Sequence, residues 1–181
     1  MNAPTKTRPH PADTTETTPD MRAWREAVEN PAFHDLPYKV ETNARGQLIL
    51  TKHKIYHSFA QSRTLKLLEK HVHGDGEATV EFAAQTTDGV KVPDGVWVSN
   101  ERATQIPSDA EASAVMPATC VEVLSRSNTQ AELEDQRRLF FEGGAEEVWL
   151  VGADGRVTFY DAEGTLDQSG LAPDFPQRVE G

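Results

Sequence analysis

Residues 118–138 read ATCVEVLSRSNTQAELEDQRR, and the change of pattern along them decides the fold. Cys120, Val121, Val123 and Leu124 make a short apolar run of the kind that forms a buried strand. Glu122 interrupts it, although an ionised carboxylate is rarely buried without a partner. Beyond a polar turn the pattern becomes helical. Thr129 and Glu132 have capping-box spacing, and Leu133, Gln136 and Phe140 share one stripe at helical intervals. Gly143 and Gly144 then stop the helix.

Working outward, EEVWLV (146–151) and RVTFYDA (156–162) read as strands joined by the turn GADG. Upstream, ATVEFAAQ (78–85) and GVKVPDGVWVS (89–99) read as a hairpin joined through Thr86 to Gly89, followed by a loop over 100–116. A first long helix covers 56–72, with Phe59, Leu65, Leu68 and Val72 as its apolar stripe. Before it, Tyr38 to Leu50 reads as another hairpin turning at Asn43 to Gly46. A short helix over 21–30 places Trp24 and Val28 on one face and ends at Pro31. The last residues, GLAPDFPQRVEG, read as loop with weak structure. Residues 1–20, rich in Pro and Thr, form an expected disordered tail. The rest, 21–181, is expected to be a single domain of mixed α/β class.

Composition narrows the function. Lys and Arg total 18 against 29 Asp and Glu, a formal net charge of −11. Such a surface repels polyanions at long range but does not exclude a local basic groove. The single cysteine, Cys120, excludes an internal disulfide and a zinc finger, and reads as an inert core thiol. No apolar stretch is long enough to span a membrane, and no signal peptide is visible, so a reducing cytoplasm is the expected location.

Asp94 breaks a second apolar run as Glu122 breaks the first. Side chains alternate along a strand, so Asp94 is expected to face with Val90, Val92, Val96 and Val98, and Glu122 with Cys120 and Leu124. On neighbouring strands the two acids would converge and repel, and a divalent cation, magnesium or manganese, would relieve that. The alternative is that Asp94 begins a turn after Pro93 while Glu122 pairs with Arg137 or Arg138. Gln136 interrupts the inner row of its helix, either to line a site or to hydrogen-bond a loop carbonyl.

The stretches LPYKVETNARGQLIL, VPD, VEVLSRSNT, GGAEEVWLV, GRVTFY and APDFP, in this order and spacing, resemble the Uma-type restriction endonuclease family of the PD-(D/E)XK nuclease superfamily. The resemblance covers about residues 35–178. It implies a restriction-endonuclease-like core, a mixed sheet flanked by helices, and a magnesium-dependent endonuclease acting on DNA. Asp94 would match the aspartate of the PD element and Glu122 the acid of the (D/E)XK element, both as metal ligands. Leu124 stands where the usual lysine would be. The family's substitute lysine on the following helix aligns with Gln136, a neutral amide that can orient a water but carries no charge. Relatives are expected to pair as homodimers.

Other residues carry weaker signals. Glu41 on the first hairpin is an additional metal or water ligand, or a solvated strand residue. His57 at the start of the first long helix is a phosphate contact, or a surface histidine. Lys52, Lys54 and Arg63, with Lys66 and Lys70, give this half a basic bias suited to nucleic-acid binding. Two function classes therefore stand: a metal-dependent DNA endonuclease, and a nuclease-fold protein that has lost most catalysis and serves as a binding or regulatory module. A third is a plain structural domain whose acids form salt bridges.

Overall fold

The strand and helix expected around Glu122 are both present in the computed structural model, which describes residues 18–33, 36–52, 55–125 and 128–179. The chain opens with helix α1 (Pro19–Glu29), a 3-10 turn (Pro31–Phe33), strands β1 (Tyr38–Thr42) and β2 (Leu48–Lys52), and helix α2 (Ile55–His71). Strands β3 (Gly76–Thr79), β4 (Ala84–Thr86), β5 (Gly89–Lys91) and β6 (Gly95–Ser99) follow, then the short helix α3 (Asn100–Ala103). Strand β7 (Thr119–Val123), helix α4 (Gln130–Gly143) and strands β8 (Glu147–Val151), β9 (Val157–Tyr160) and β10 (Thr165–Leu166) come last.

The stretch 118–151 is a strand–helix–strand crossover. β7 and β8 run parallel, with Glu122 opposite Leu150, because α4 carries the chain back between them. α4 starts at the expected capping box: the Glu132 amide donates to Thr129 Oγ1 at 3.3 Å, and the Thr129 amide donates to Glu132 Oε2 at 2.8 Å. It ends at Gly144, whose φ of 102° lies in the left-handed region that glycine adopts without steric cost. The other pairings of the sheet are antiparallel, giving the order β10-β9-β8-β7-β6-β3. The ribbons β1-β2 and β4-β5 lie outside this sheet.

Alternation along the central strands feeds two apolar layers. Val121, Val123, Trp149, Val151 and Phe159 pack with Leu68 of α2. Cys120, Val96, Val98, Val148 and Leu150 pack with Leu133 and Phe140 of α4. The architecture is the expected mixed α/β one, a mixed sheet flanked by helices. Cys120 is buried, and burial pushes its thiol's pKa up, which suits a core residue. Among the described residues no helix is long and apolar enough to cross a membrane.

Several details differ from the sequence reading. α1 begins at Pro19, two residues into the expected tail, because a proline fits the first helical position; residues 1–17 lie outside the described residues. α1 buries Trp24 and Ala27 and leaves Val28 exposed. α2 buries Ala60, Thr64 and Leu68, while Phe59 is 59% exposed. The expected hairpin over 78–99 is two separate pairings: β3 pairs with β6, and β4 with β5. The chain leaves the strand conformation at Glu81, whose φ is 56°, and again around Pro93, which has no amide to donate. Val90 and Val92 consequently pack with Trp24, apart from Val96 and Val98. The segment 170–179 is loop as expected, but it is part of the core. Phe175 packs against Trp149, ring centroids 4.6 Å apart, with Ala172 and Val179 also buried.

Candidate functional site

Asp94 lies just before β6, and Glu122 is in β7. The antiparallel register pairs Gly95 with Val121 and Val96 with Cys120, so one further step sets Asp94 beside Glu122. The two acids do converge. Asp94 Oδ2 accepts from the Val123 amide at 2.8 Å, which fixes that carboxylate against β7. The Gln61 side chain of α2 donates to the Asp94 carbonyl, holding the same residue through its backbone. Glu122 Oε1 accepts from Gln136 Nε2 of α4 at 2.6 Å. Gln136 therefore reaches into the site and bonds the strand acid itself.

The β1-β2 ribbon closes the arrangement. Thr42 accepts from the Val90 amide through Oγ1 at 2.8 Å and from Lys91 Nζ through its carbonyl at 2.9 Å, laying β1 across β5. Gly89 permits this approach: a Cβ there would stand 2.6 Å from the Thr42 carbonyl oxygen, and the residue's φ is +89°. Glu41 Oε1 then accepts from the Val92 amide at 2.9 Å. Lys39 and Glu41 are two residues apart on one strand and point the same way.

Lys39 is the residue that the sequence reading missed. Its Nζ stands 3.5 Å from Glu41 Oε1, 3.6 Å from Asp94 Oδ1 and 3.6 Å from Glu122 Oε2. The alternation Lys39-Val40-Glu41 was a visible signal, but only the long-range docking of the ribbon puts both side chains against β6 and β7. The cation beside Glu122 is thus neither Arg137 nor Arg138. Arg137 stacks on the Tyr160 ring, 3.9 Å from its centroid, and Arg138 pairs with Asp135 and Glu142.

The electrostatics follow from three acids around one ammonium, all largely buried. Burial alone would pull the Lys39 pKa down, but the charges of Glu122, Glu41 and Asp94 outweigh it and hold the ammonium protonated. Glu122 goes the other way. Burial raises its pKa well above the usual carboxylate range, and Asp94 and Glu41 add to the rise, while Lys39 opposes it. Both directions reflect one imbalance: with every acid ionised, the cluster is two positive charges short of neutrality.

Magnesium and manganese take hard oxygen donors, and these carboxylates are such donors. Asp94 Oδ1 and Glu122 Oε2 both face the centre, and the charge deficit equals that of one divalent ion. The spacing does not yet match. A magnesium–oxygen contact is about 2.0–2.1 Å, whereas the ammonium holds the oxygens 3.5–3.6 Å from the centre. Among the described residues no group of three His, Cys, Asp or Glu side chains is spaced to hold a metal ion as it stands. Holding such an ion would need the carboxylates to close inward and Lys39 to give way.

An open cleft of about 600 Å³ leads to the cluster, and Lys52 and His57 line it together with Gln136. Its wall also carries Asp88, Glu132 and Asp135, so the entrance is not basic. Arg63 is exposed on the outer side of α2, its guanidinium 5.7 Å from the Phe59 ring centroid, and does not line the cleft. Lys54 lies outside the described residues.

A family model, Uma2, described as "Putative restriction endonuclease", matches residues 31–174. Among solved structures, the chain is similar to one described as "a putative nuclease belonging to DUF820" from Anabaena variabilis ATCC 29413. That likeness has a TM-score of 0.67 at 17% identity and covers 86% of this chain and 94% of the other, which establishes a shared fold. No curated protein matches the chain.

Proposed function

The chain belongs to the Uma2 family, described as "Putative restriction endonuclease", and on that premise we propose that it hydrolyses DNA phosphodiester bonds with one magnesium or manganese ion held by Asp94 and Glu122. The observation that carries the reading is the convergence of Asp94, Glu122 and Glu41 on one point with a deficit of two positive charges. A scaffold gains little from such a cluster, since buried charges are commonly replaced by apolar groups without loss of stability.

A magnesium or manganese ion held by Asp94 and Glu122 would supply Lewis acidity toward the scissile phosphate. Asp94 presents Oδ1 to the centre while the Val123 amide anchors Oδ2. Glu122 presents Oε2 while Gln136 anchors Oε1. Gln136 keeps its amide oxygen for orienting the attacking water. Glu41, tied to the Val92 amide, sets the third negative wall. Lys52 and His57 on the cleft wall meet the phosphates beside the cut. With a net charge of −11 and an acidic entrance, long-range repulsion keeps binding to DNA weak.

A second reading has an observation of its own. Lys39 already fills the centre, and Gln136 supplies no charge, which suits a nuclease-fold binding module without turnover. Supercoiled plasmid at low salt, incubated with manganese and wild-type or Glu122→Ala protein, separates the two. The nuclease reading expects nicking by wild type and none by Glu122→Ala. Equal nicking by both, or none by either, contradicts it.

A further inference from the structure

We propose that Lys39 is the catalytic lysine of this site, delivered by β1, and that it supplies the positive charge which α4, bearing Gln136, does not. This rests on the nuclease reading above. An in-line attack on a phosphodiester piles negative charge on the phosphoryl oxygens, and a fixed cation beside them is the strongest single source of stabilisation. Lys39 is the described cation that meets both Asp94 and Glu122.

Its geometry is that of a charge poised between partners. The three separations, 3.5, 3.6 and 3.6 Å, are nearly equal and longer than a tight hydrogen bond, so no single carboxylate has captured the ammonium. Lys39 lines the cleft, and its side chain is 11% exposed. Its strand is held at Thr42 and Glu41 by bonds to Val90, Val92 and Lys91, which gives the ammonium a fixed base. Glu122 shows why β1 serves where α4 does not. One of its oxygens faces the Gln136 amide and the other faces Lys39. The two residues hold different oxygens of the same carboxylate, so a cation on either element stands beside Glu122. With a divalent ion held by Asp94 and Glu122, the Lys39 ammonium would be free to face the phosphate from the cleft it lines.

A structural counterion would also sit among three acids, and the test separates the two roles. Manganese compensates the acids in either case, so a mere counterion becomes dispensable at saturating manganese. A catalytic lysine does not. Plasmid nicking at saturating manganese and DNA is compared for wild type, Lys39→Met, Lys39→Arg, Glu122→Ala and Lys39→Met/Gln136→Lys, with thermal melting of each. Lys39→Met is expected to regain a wild-type melting temperature with manganese yet nick about 10²–10³ times more slowly. Lys39→Arg is expected to keep part of the activity, and the double variant to exceed Lys39→Met at least tenfold. Nicking by Lys39→Met within twofold of wild type, with Glu122→Ala inactive, overturns the lysine assignment and leaves the nuclease reading standing. A wild type that binds manganese and nicks nothing overturns both. If Lys39→Met fails to fold, the double variant decides: at least a tenth of wild-type activity supports the assignment, and none overturns it.

Discussion

Replacing Asp94 by Asn removes one negative charge from the cluster and keeps an oxygen to accept from the Val123 amide. Without metal the change is small. At 3.6 Å and an effective dielectric of about 20, the lost attraction to Lys39 is roughly 4–5 kcal/mol. Relief of repulsion from Glu122 and Glu41 offsets most of it, and the expected net change is within about 2 kcal/mol. With metal the difference is larger in relative terms. A wild-type protein at a manganese concentration about 100 times its Kd gains about 2.7 kcal/mol, or roughly 5–11 °C in Tm for a chain of this size. If the lost charge weakens binding about tenfold to hundredfold, the gain falls to about 1.4–0.4 kcal/mol. Differential scanning calorimetry of both proteins, with and without manganese at one fixed concentration, reads this directly. A manganese shift in Asp94→Asn equal to that of wild type refutes the metal assignment. A metal-free loss well above 4 kcal/mol refutes the charge reasoning, because it would make the Lys39–Asp94 pair a structural bond.

The raised pKa of Glu122 gives a pH dependence whose sign is fixed: the folded state favours the protonated acid, so its contribution is full below about 4.5 and fades as pH rises through the folded value. Metal-free wild type is therefore expected to lose more stability than Glu122→Gln between pH 4.5 and 8, read by urea denaturation at several pH values, and its manganese affinity is expected to rise over the same range. Gln136→Ala leaves Glu122 Oε1 without its donor and is expected to lower stability by about 1–3 kcal/mol and to slow nicking, measured by denaturation and plasmid assay. Phe175→Ala is expected to lower stability by about 3–5 kcal/mol while leaving the manganese Kd unchanged, since the ring packs on Trp149 and Phe159, away from the cleft.

What was legible in the sequence was what local chemistry dictates. The strand–helix–strand unit around Glu122 carried its own punctuation, a capping box at Thr129 and a glycine stop at Gly144, and it formed as read. Two apolar strands interrupted by acids implied convergence of Asp94 and Glu122 only if those strands were neighbours, a condition that the β6-β7 pairing meets. The hairpin over 78–99 was misread because alternation continues across Pro93, whereas the chain changes partner there. The apolar stripe of α2 was misplaced at Phe59 because the sheet covers the Ala60–Thr64–Leu68 face, and only tertiary packing selects between overlapping faces. Lys39 was passed over for the same physical reason. A lysine on a short hairpin is ordinarily solvated, and nothing local says that Thr42 and Gly89 lock that hairpin over the site.

Asp94 and Glu122 are expected to grip one divalent cation at the point Lys39 now balances. A crystal structure of the manganese-soaked protein, with anomalous scattering recorded at the manganese edge, tests it most directly. One strong peak is expected in contact with Asp94 Oδ1 and Glu122 Oε2, with the Lys39 ammonium displaced toward the cleft. No peak between these acids, with Lys39 still midway among Glu41, Asp94 and Glu122, would contradict it.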